Sequence, residues 1–278
     1  CIGPILGSIL TLAAIEENFM NTVLLARDNE DIITVTLNRP HKLNAFTKPM
    51  WQRMGDVFRE LSEDQTLRCI VIRGAGEKAF GPGNDISEFN SERSNAEQAK
   101  SYGKIMHKTI RALRETPHPT VAMIHGICVG GGLEIAGLCN IRICGTSSRF
   151  GAPIAKLGLV MAYQEISALR DLIGADRALE ILLESRIINA DEAENMGIVS
   201  RVVPDEDVTE EAMAAARRIA SGAPLVHRWH KKFIRRLNDP MPLSDEEVDE
   251  GFLCYDTDDF QIGYKAFLSK TMPKFTGR

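Results

Sequence analysis

Apolar positions along this chain alternate between a period of two and a period near 3.6. Residues 22–27 and 31–37 read as two strands around the turn Asp28-Asn29-Glu30-Asp31. Ile33, Val35 and Leu37 interleave with polar neighbours, as in a strand with one covered face. Arg39-Pro40 stops the pairing, because the residue before a proline is restricted and the proline carries no N–H. Trp51, Met54, Val57, Phe58 and Leu61 then fall at helical spacing. They predict a helix over 48–62, with Pro49 suited to its first turn.

The same rhythm recurs. The run Cys69-Ile70-Val71-Ile72 predicts a buried strand, followed by a glycine-rich loop over 74–85 and a helix near 95–115. Thr120-Val121-Ala122-Met123-Ile124 predicts another strand, which leads through Gly126 and three consecutive glycines into a helix near 131–139. Ile141-Arg142-Ile143-Cys144 is again strand-like, two helices fit 165–173 and 175–184, and 198–203 reads as a last short strand. Alternating strand, loop and helix predicts an α/β core over 20–204. Beyond it, 205–221, 224–238, 244–256 and 258–270 read as helices punctuated by Ala223-Pro224 and Asp239-Pro240, a C-terminal helical region over 205–278. A short helical region of this kind has little core of its own and packs on the rest of the chain or on another subunit. Residues 1–19 are apolar, begin with Cys and lack a basic leader. They are expected to be an upstream or cloning-derived extension, with a cleaved targeting segment as the alternative.

Composition narrows the function classes. The chain has 278 residues, 44% of them hydrophobic, and a formal net charge of −5, which gives no general attraction to nucleic acid. The tightest basic run, Arg228-Trp229-His230-Lys231-Lys232 with Arg235-Arg236, is too small for that role and reads as a solvated or intersubunit helix face. The apolar N-terminal run is too short to span a membrane. The six cysteines show no C-x-x-C spacing and read as buried thiols of a reducing compartment, neither disulfide frame nor zinc site. A cytoplasmic location, or the mitochondrial matrix in a eukaryote, is expected.

Two loops carry the chemistry. Lys78-Ala79-Phe80-Gly81-Pro82-Gly83-Asn84-Asp85-Ile86 and His125-Gly126-Ile127-Cys128-Val129-Gly130-Gly131-Gly132-Leu133-Glu134 each follow a buried-type strand, where open α/β folds place binding sites. Consecutive glycines destabilise a helix start but let backbone approach a ligand closely. Free N–H groups there carry partial positive charge. One N–H from each loop would form an oxyanion hole, in which a single donor is worth roughly 3–4 kcal/mol of barrier. Tight helix–strand packing is the competing explanation of the glycines. Neither loop matches a nucleotide-binding glycine pattern, and no G-x-S-x-G is present. Glu134 is a candidate acid/base, or else a first-turn carboxylate complementing the helix dipole. His125 reads as structural, and His107 and His118 show no partner in sequence.

These motifs, with Lys42-Leu43-Asn44-Ala45, Arg149-Phe150-Gly151-Ala152-Pro153, Leu157-Gly158, Ala190-Asp191-Glu192-Ala193 and a C-terminal Phe260…Gly263…Ala266-Phe267…Lys270…Pro273…Phe275-Thr276-Gly277, resemble the crotonase (enoyl-CoA hydratase/isomerase) superfamily over about 22–278. The resemblance implies a spiral of ββα units with a C-terminal helical region used in trimers, often stacked as hexamers. It implies an acyl-CoA thioester substrate, no metal or redox cofactor, and a thioester oxygen held by the N–H groups of Asn84 and Gly131. Glu134 would act as acid/base, and Lys42, Lys78 and Lys270 would approach the CoA phosphates. The resemblance also exposes a departure. Hydratases of this family carry a second glutamate after the proline of the F-G-x-P segment, and Ile154 stands there. Glu165 and Tyr163, in a rebuilt loop, are the candidates to replace it. Otherwise Glu134 acts alone in isomerisation or another enolate reaction, or the protein binds acyl-CoA with altered or lost catalysis. Thioester hydrolysis is a further option. The acyl pocket is expected between the 84–110 segment and residues 154–165.

Overall fold

The computed structural model describes residues 21–278. The expected extension at 1–19 lies outside the described residues. Among the described residues, ten strands form two sheets. The larger sheet holds, in spatial order, β1 (Val23–Arg27), β2 (Ile32–Leu37), β3 (Cys69–Gly74), β5 (Thr120–Ile124), β7 (Ile141–Gly145) and β10 (Arg201–Val203). Only β1 runs antiparallel to its neighbour; the other pairs are parallel. The smaller sheet holds β4 (Ala79–Gly81), β6 (Ile127–Val129), β8 (Arg149–Gly151) and β9 (Ile188–Asn189). Successive strands therefore climb from the larger sheet to the smaller one and return, which is the expected spiral of ββα units in an α/β fold. β4 falls in the stretch expected as a glycine-rich loop, and the other three short strands were not predicted. Two or three residues cannot display a period of two, so no sequence pattern marks them.

The period of two is visible in how the larger sheet is covered. Ile33, Val35, Leu37, Ile70, Ile72, Ala122 and Ile124 face one core with α1 (Lys48–Glu63) and the helix over Ala96–Glu115. Ile32, Cys69, Val71, Val121, Met123 and Ile143 face the other way, onto Val208, Ala212, Ala215 and Ala216 of the helix Val208–Ala220. This helix, from the C-terminal helical region, covers the sheet's second face, and its alanines let it approach closely. The central parallel strands β2, β3, β5 and β7 are thus buried on both faces, as parallel sheets require, while the edge strand β1 is mostly exposed.

The rest of the C-terminal region comprises Pro224–Leu237, Asp245–Asp249 with a following 3-10 stretch, and Asp258–Ser269. The final residues fold back. Buried Asp259 accepts N–H groups of Thr276 at 2.6 Å and Gly277 at 3.0 Å, and Arg68 Nη2 donates to Phe275 O at 2.6 Å. Cys69, Cys128, Cys139 and Cys144 are buried free thiols, and Cys254 is a half-buried one. Among the described residues no helix is long and apolar enough to cross a membrane.

Candidate active site

The smaller sheet builds the site. β4 pairs in parallel with β6, and β6 with β8. Chains leaving three parallel neighbours emerge side by side, which brings Asn84, Gly131 and Ile154 to one edge. A backbone hydrogen bond from Gly130 N to Gly151 O, 2.9 Å, ties two of these exits together.

The direction of the Asn84 N–H follows from its neighbours. Phe46 N donates to Gly83 O at 2.9 Å and Asp85 N donates to Phe46 O at 2.7 Å. Backbone groups alternate along an extended segment, so the N–H of Asn84 points away from Phe46 and toward the Gly131 loop. Gly83, between the two loops, has φ +101°, and a Cβ there would lie 3.1 Å from Gly131 N. Gly131 opens a helix (Gly131–Gly137) whose N-cap, Gly130, offers no side-chain acceptor. Its N–H, in the first turn, has no intrahelical partner. Asn84 and Gly131 both line one cavity. Trp51 backs this arrangement. It is fully buried, stacks on Phe46 at 4.4 Å between centroids, and donates Nε1–H to Asn84 Oδ1 at 2.6 Å.

Glu134 stands one turn into the same helix and lines the same cavity, of about 330 Å³. Part of its surface opens on that cavity, yet Oε2 is buried with no hydrogen-bond partner. Its carboxyl is held well above the ordinary glutamate range. Burial is the main cause, the negative charge of Glu165 adds to it, and the positive charge of Arg93 partly offsets it.

Ile154 packs against the core and lines the cavity, offering no proton. Glu165 enters from elsewhere, in the first turn of the helix Tyr163–Ile173. The structure buries it, at 8% exposure, in the cavity wall. Oε2 accepts the N–H of Ala162 at 3.1 Å, capping the helix. Oε1 lies 3.1 Å from His107 Nε2, which carries the hydrogen because a carboxylate only accepts. Tyr163 is 90% exposed and does not line the cavity. Residues two apart on a helix face opposite sides, so the structure can admit one of the two candidates and admits Glu165. The His107–Glu165 pair spans 58 residues between two helices, and no sequence signal joins them.

Lys42, Lys78 and Lys270 are exposed and lie outside the cavity lining. Lys270 closes the last helix in a left-handed conformation, φ 54°. His125 Nε2 meets Thr209 Oγ1 at 3.3 Å and His118 Nε2 donates to Leu61 O at 2.9 Å, both structural roles. The expected acyl-pocket segments do meet. Ile86, Phe89, Arg93 and Met106 face Leu157, Leu159, Val160 and Met161 across the cavity. Among the described residues no cluster of three or more His, Cys, Asp or Glu could hold a metal ion.

Residues 27–278 match the family model described as enoyl-CoA hydratase/isomerase. The chain belongs to this family. Its expected class, a hydratase/isomerase enzyme, stands with that assignment. The chain is 31% identical over 256 residues to a short-chain-enoyl-CoA hydratase of Clostridium acetobutylicum, covering 90% of this chain and 96% of that one. It is 28% identical over 263 residues to a 1,2-epoxyphenylacetyl-CoA isomerase of Escherichia coli, covering 93% and 100%. Among solved structures it is similar to an enoyl-CoA hydratase/carnithine racemase from Magnetospirillum magneticum, with TM-score 0.91 and 48% identity, covering 93% of this chain and 97% of that one.

Proposed function

We propose that this chain hydrates enoyl-CoA thioesters through an enolate, with Glu134 and Glu165 as its two acid/base carboxyls. The observation that supports this reading is the presence of both carboxyls in the wall of one cavity that Asn84 and Gly131 also line. The N–H groups of Asn84 and Gly131 take the thioester oxygen and stabilise the negative charge that develops there. Water adds to Cβ, losing a proton to one carboxylate, while Cα takes a proton from the other carboxyl. Water and enoyl thioester combine into a 3-hydroxyacyl thioester, and no electron changes hands. The elevated pKa of Glu134 suits it to proton donation near neutrality. Glu165, fixed by Ala162 N–H and His107, is suited to hold the water. The chain's own groups supply every step, with coenzyme A as part of the substrate.

Lys42, Lys78 and Lys270 are proposed to meet the CoA phosphates, which their exposure permits. A homotrimer or a dimer of trimers is proposed as well. Exposed apolar side chains on the C-terminal helices, Phe267 at 83%, Leu268 at 64% and Phe252 at 64%, support a covering surface from another copy.

Crotonyl-CoA hydration, followed by loss of the enoyl-thioester absorbance, tests the reading. Turnover by the native protein, reduced ~10²–10⁴-fold in Glu134→Gln and again in Glu165→Gln, is the expected result. Tight binding without turnover across a panel of enoyl-CoAs would sink it in favour of a binding role. Release of free thiol would indicate hydrolysis instead.

A further inference from the structure

Arg93 lines the acyl cavity and takes no part in the proposed hydration. Its guanidinium lies 4.9 Å from the ring centroids of both Phe89 and Tyr102. Contacts to two rings orient a planar cation without neutralising it. Tyr102 is itself held by its hydroxyl, 3.2 Å from Glu88 Oε2. The nearby carboxylates are engaged elsewhere: Glu88 accepts Lys48 N–H at 2.9 Å, and Glu92 pairs with Lys48 Nζ at 2.6 Å. Among the described residues no carboxylate pairs with Arg93 and no acceptor meets its guanidinium N–H groups. Ile86, Met106, Val129, Ile154, Leu157 and Met161 make most of the surrounding wall apolar. An oriented, unpaired guanidinium in an apolar acyl pocket is a receptor for an anion carried by the acyl group.

We infer that Arg93 binds a carboxylate at the far end of the acyl chain, so that the substrates are short enoyl-CoA thioesters with a terminal carboxylate. This rests on the proposal that the cavity takes an enoyl-CoA. The guanidinium fork matches a carboxylate in two parallel N–H···O bonds. An acyl chain ending in methyl groups would cover the cation without pairing it, and a polar site rejects a partner that leaves it unsatisfied. Two other anions compete for Arg93: the CoA phosphates, and Glu134, whose proton affinity the arginine lowers.

Isothermal calorimetry on the whole protein with two saturated thioesters separates these. Glutaryl-CoA carries the carboxylate; 5-methylhexanoyl-CoA replaces it by an isopropyl group of the same shape. The native protein is expected to bind glutaryl-CoA ~10–100-fold more tightly. Arg93→Met and Arg93→Gln should each bring the ratio close to one, and Arg93→Lys should retain part of it. Equal or tighter binding of the neutral thioester by the native protein overturns the inference. So does an equal weakening of both thioesters in Arg93→Met, the result of a phosphate contact. A ratio that survives Arg93→Met while the pH profile of crotonyl-CoA hydration shifts would assign Arg93 to Glu134 instead, again overturning it. The ratio needs no turnover, so a failure of the hydratase reading, seen with crotonyl-CoA, remains distinct from a failure of this one.

Discussion

At the scale of single residues, the site combines groups that work against the fold. One carboxyl oxygen of Glu134 is buried without a partner, so the folded state holds the proton more strongly than the unfolded chain does. Between the ordinary glutamate range and that raised value, the unfolded state gains by ionising. Stability therefore falls as pH rises through this window, and the contribution is present in full below it. Glu134→Gln should raise the melting temperature at pH about 7–8 by a few degrees, for about 1 kcal/mol, while activity collapses. The advantage should vanish near pH about 4, where both states are protonated. A thermal shift that is equal at both pH values would contradict this account. His107 holds Glu165 from behind, so His107→Ala is expected to lower kcat about tenfold with less effect on KM. His107→Gln, which can still donate to Oε1, should recover part of the loss, as steady-state kinetics would show.

At the scale of elements, the helix over Gly131–Gly137 and the helix over Tyr163–Ile173 deliver one carboxyl each. The exit from β8, where Ile154 stands, delivers none. If Glu165 does the work of the family's second glutamate, the origin of the carboxyl matters less than its presence in the cavity. Ile154→Glu placed on Glu165→Gln should restore part of the lost hydration, read as kcat/KM for crotonyl-CoA. No recovery, with the fold intact, would mean that His107 and the helix cap are needed for the second carboxyl to function. The approach of the first helix to the smaller sheet is equally constrained. A Cβ on Gly132 would sit 2.1 Å from Gly81 O, a backbone atom that cannot turn aside. Gly132→Ala is expected to cost more than about 3 kcal/mol, measured by denaturant unfolding, or to prevent folding.

At the scale of the molecule, the C-terminal helices leave apolar side chains in water while the end of the chain is fastened by Asp259. Sedimentation velocity is expected to show a trimer or a multiple of it, and Phe267→Glu with Leu268→Glu should shift the population toward monomer. A native protein that sediments as monomer at all concentrations would remove the oligomer proposal. Acid adds a second molecular effect. Burial, helped by the charge of Arg228, pushes the His118 imidazole down to about 4, so it is neutral in the fold. Its contribution is intact above the ordinary histidine range and is lost as pH falls from about 6.5 toward that value. His118→Gln should flatten this acid limb of the unfolding curve.

Local patterning determined much of this protein. The β-branched runs, the helical spacing of Trp51 through Leu61 and the glycine loops specify an α/β chain with a close backbone approach at Gly131, because strand, helix and turn preferences act over a few residues. Glu134 was legible for the same reason, standing three residues beyond Gly131. Tertiary structure decided the rest. The four strands of the smaller sheet are too short to show a period and exist only as pairings, yet they align the Asn84, Gly131 and Ile154 exits. Glu165 and Tyr163 were both candidates in sequence, and only the packed orientation of their helix buries one and exposes the other. His107 and Arg93 carried no local signature, because their roles depend on partners brought close by folding: a carboxylate 58 residues away for one, two rings and an apolar cavity for the other.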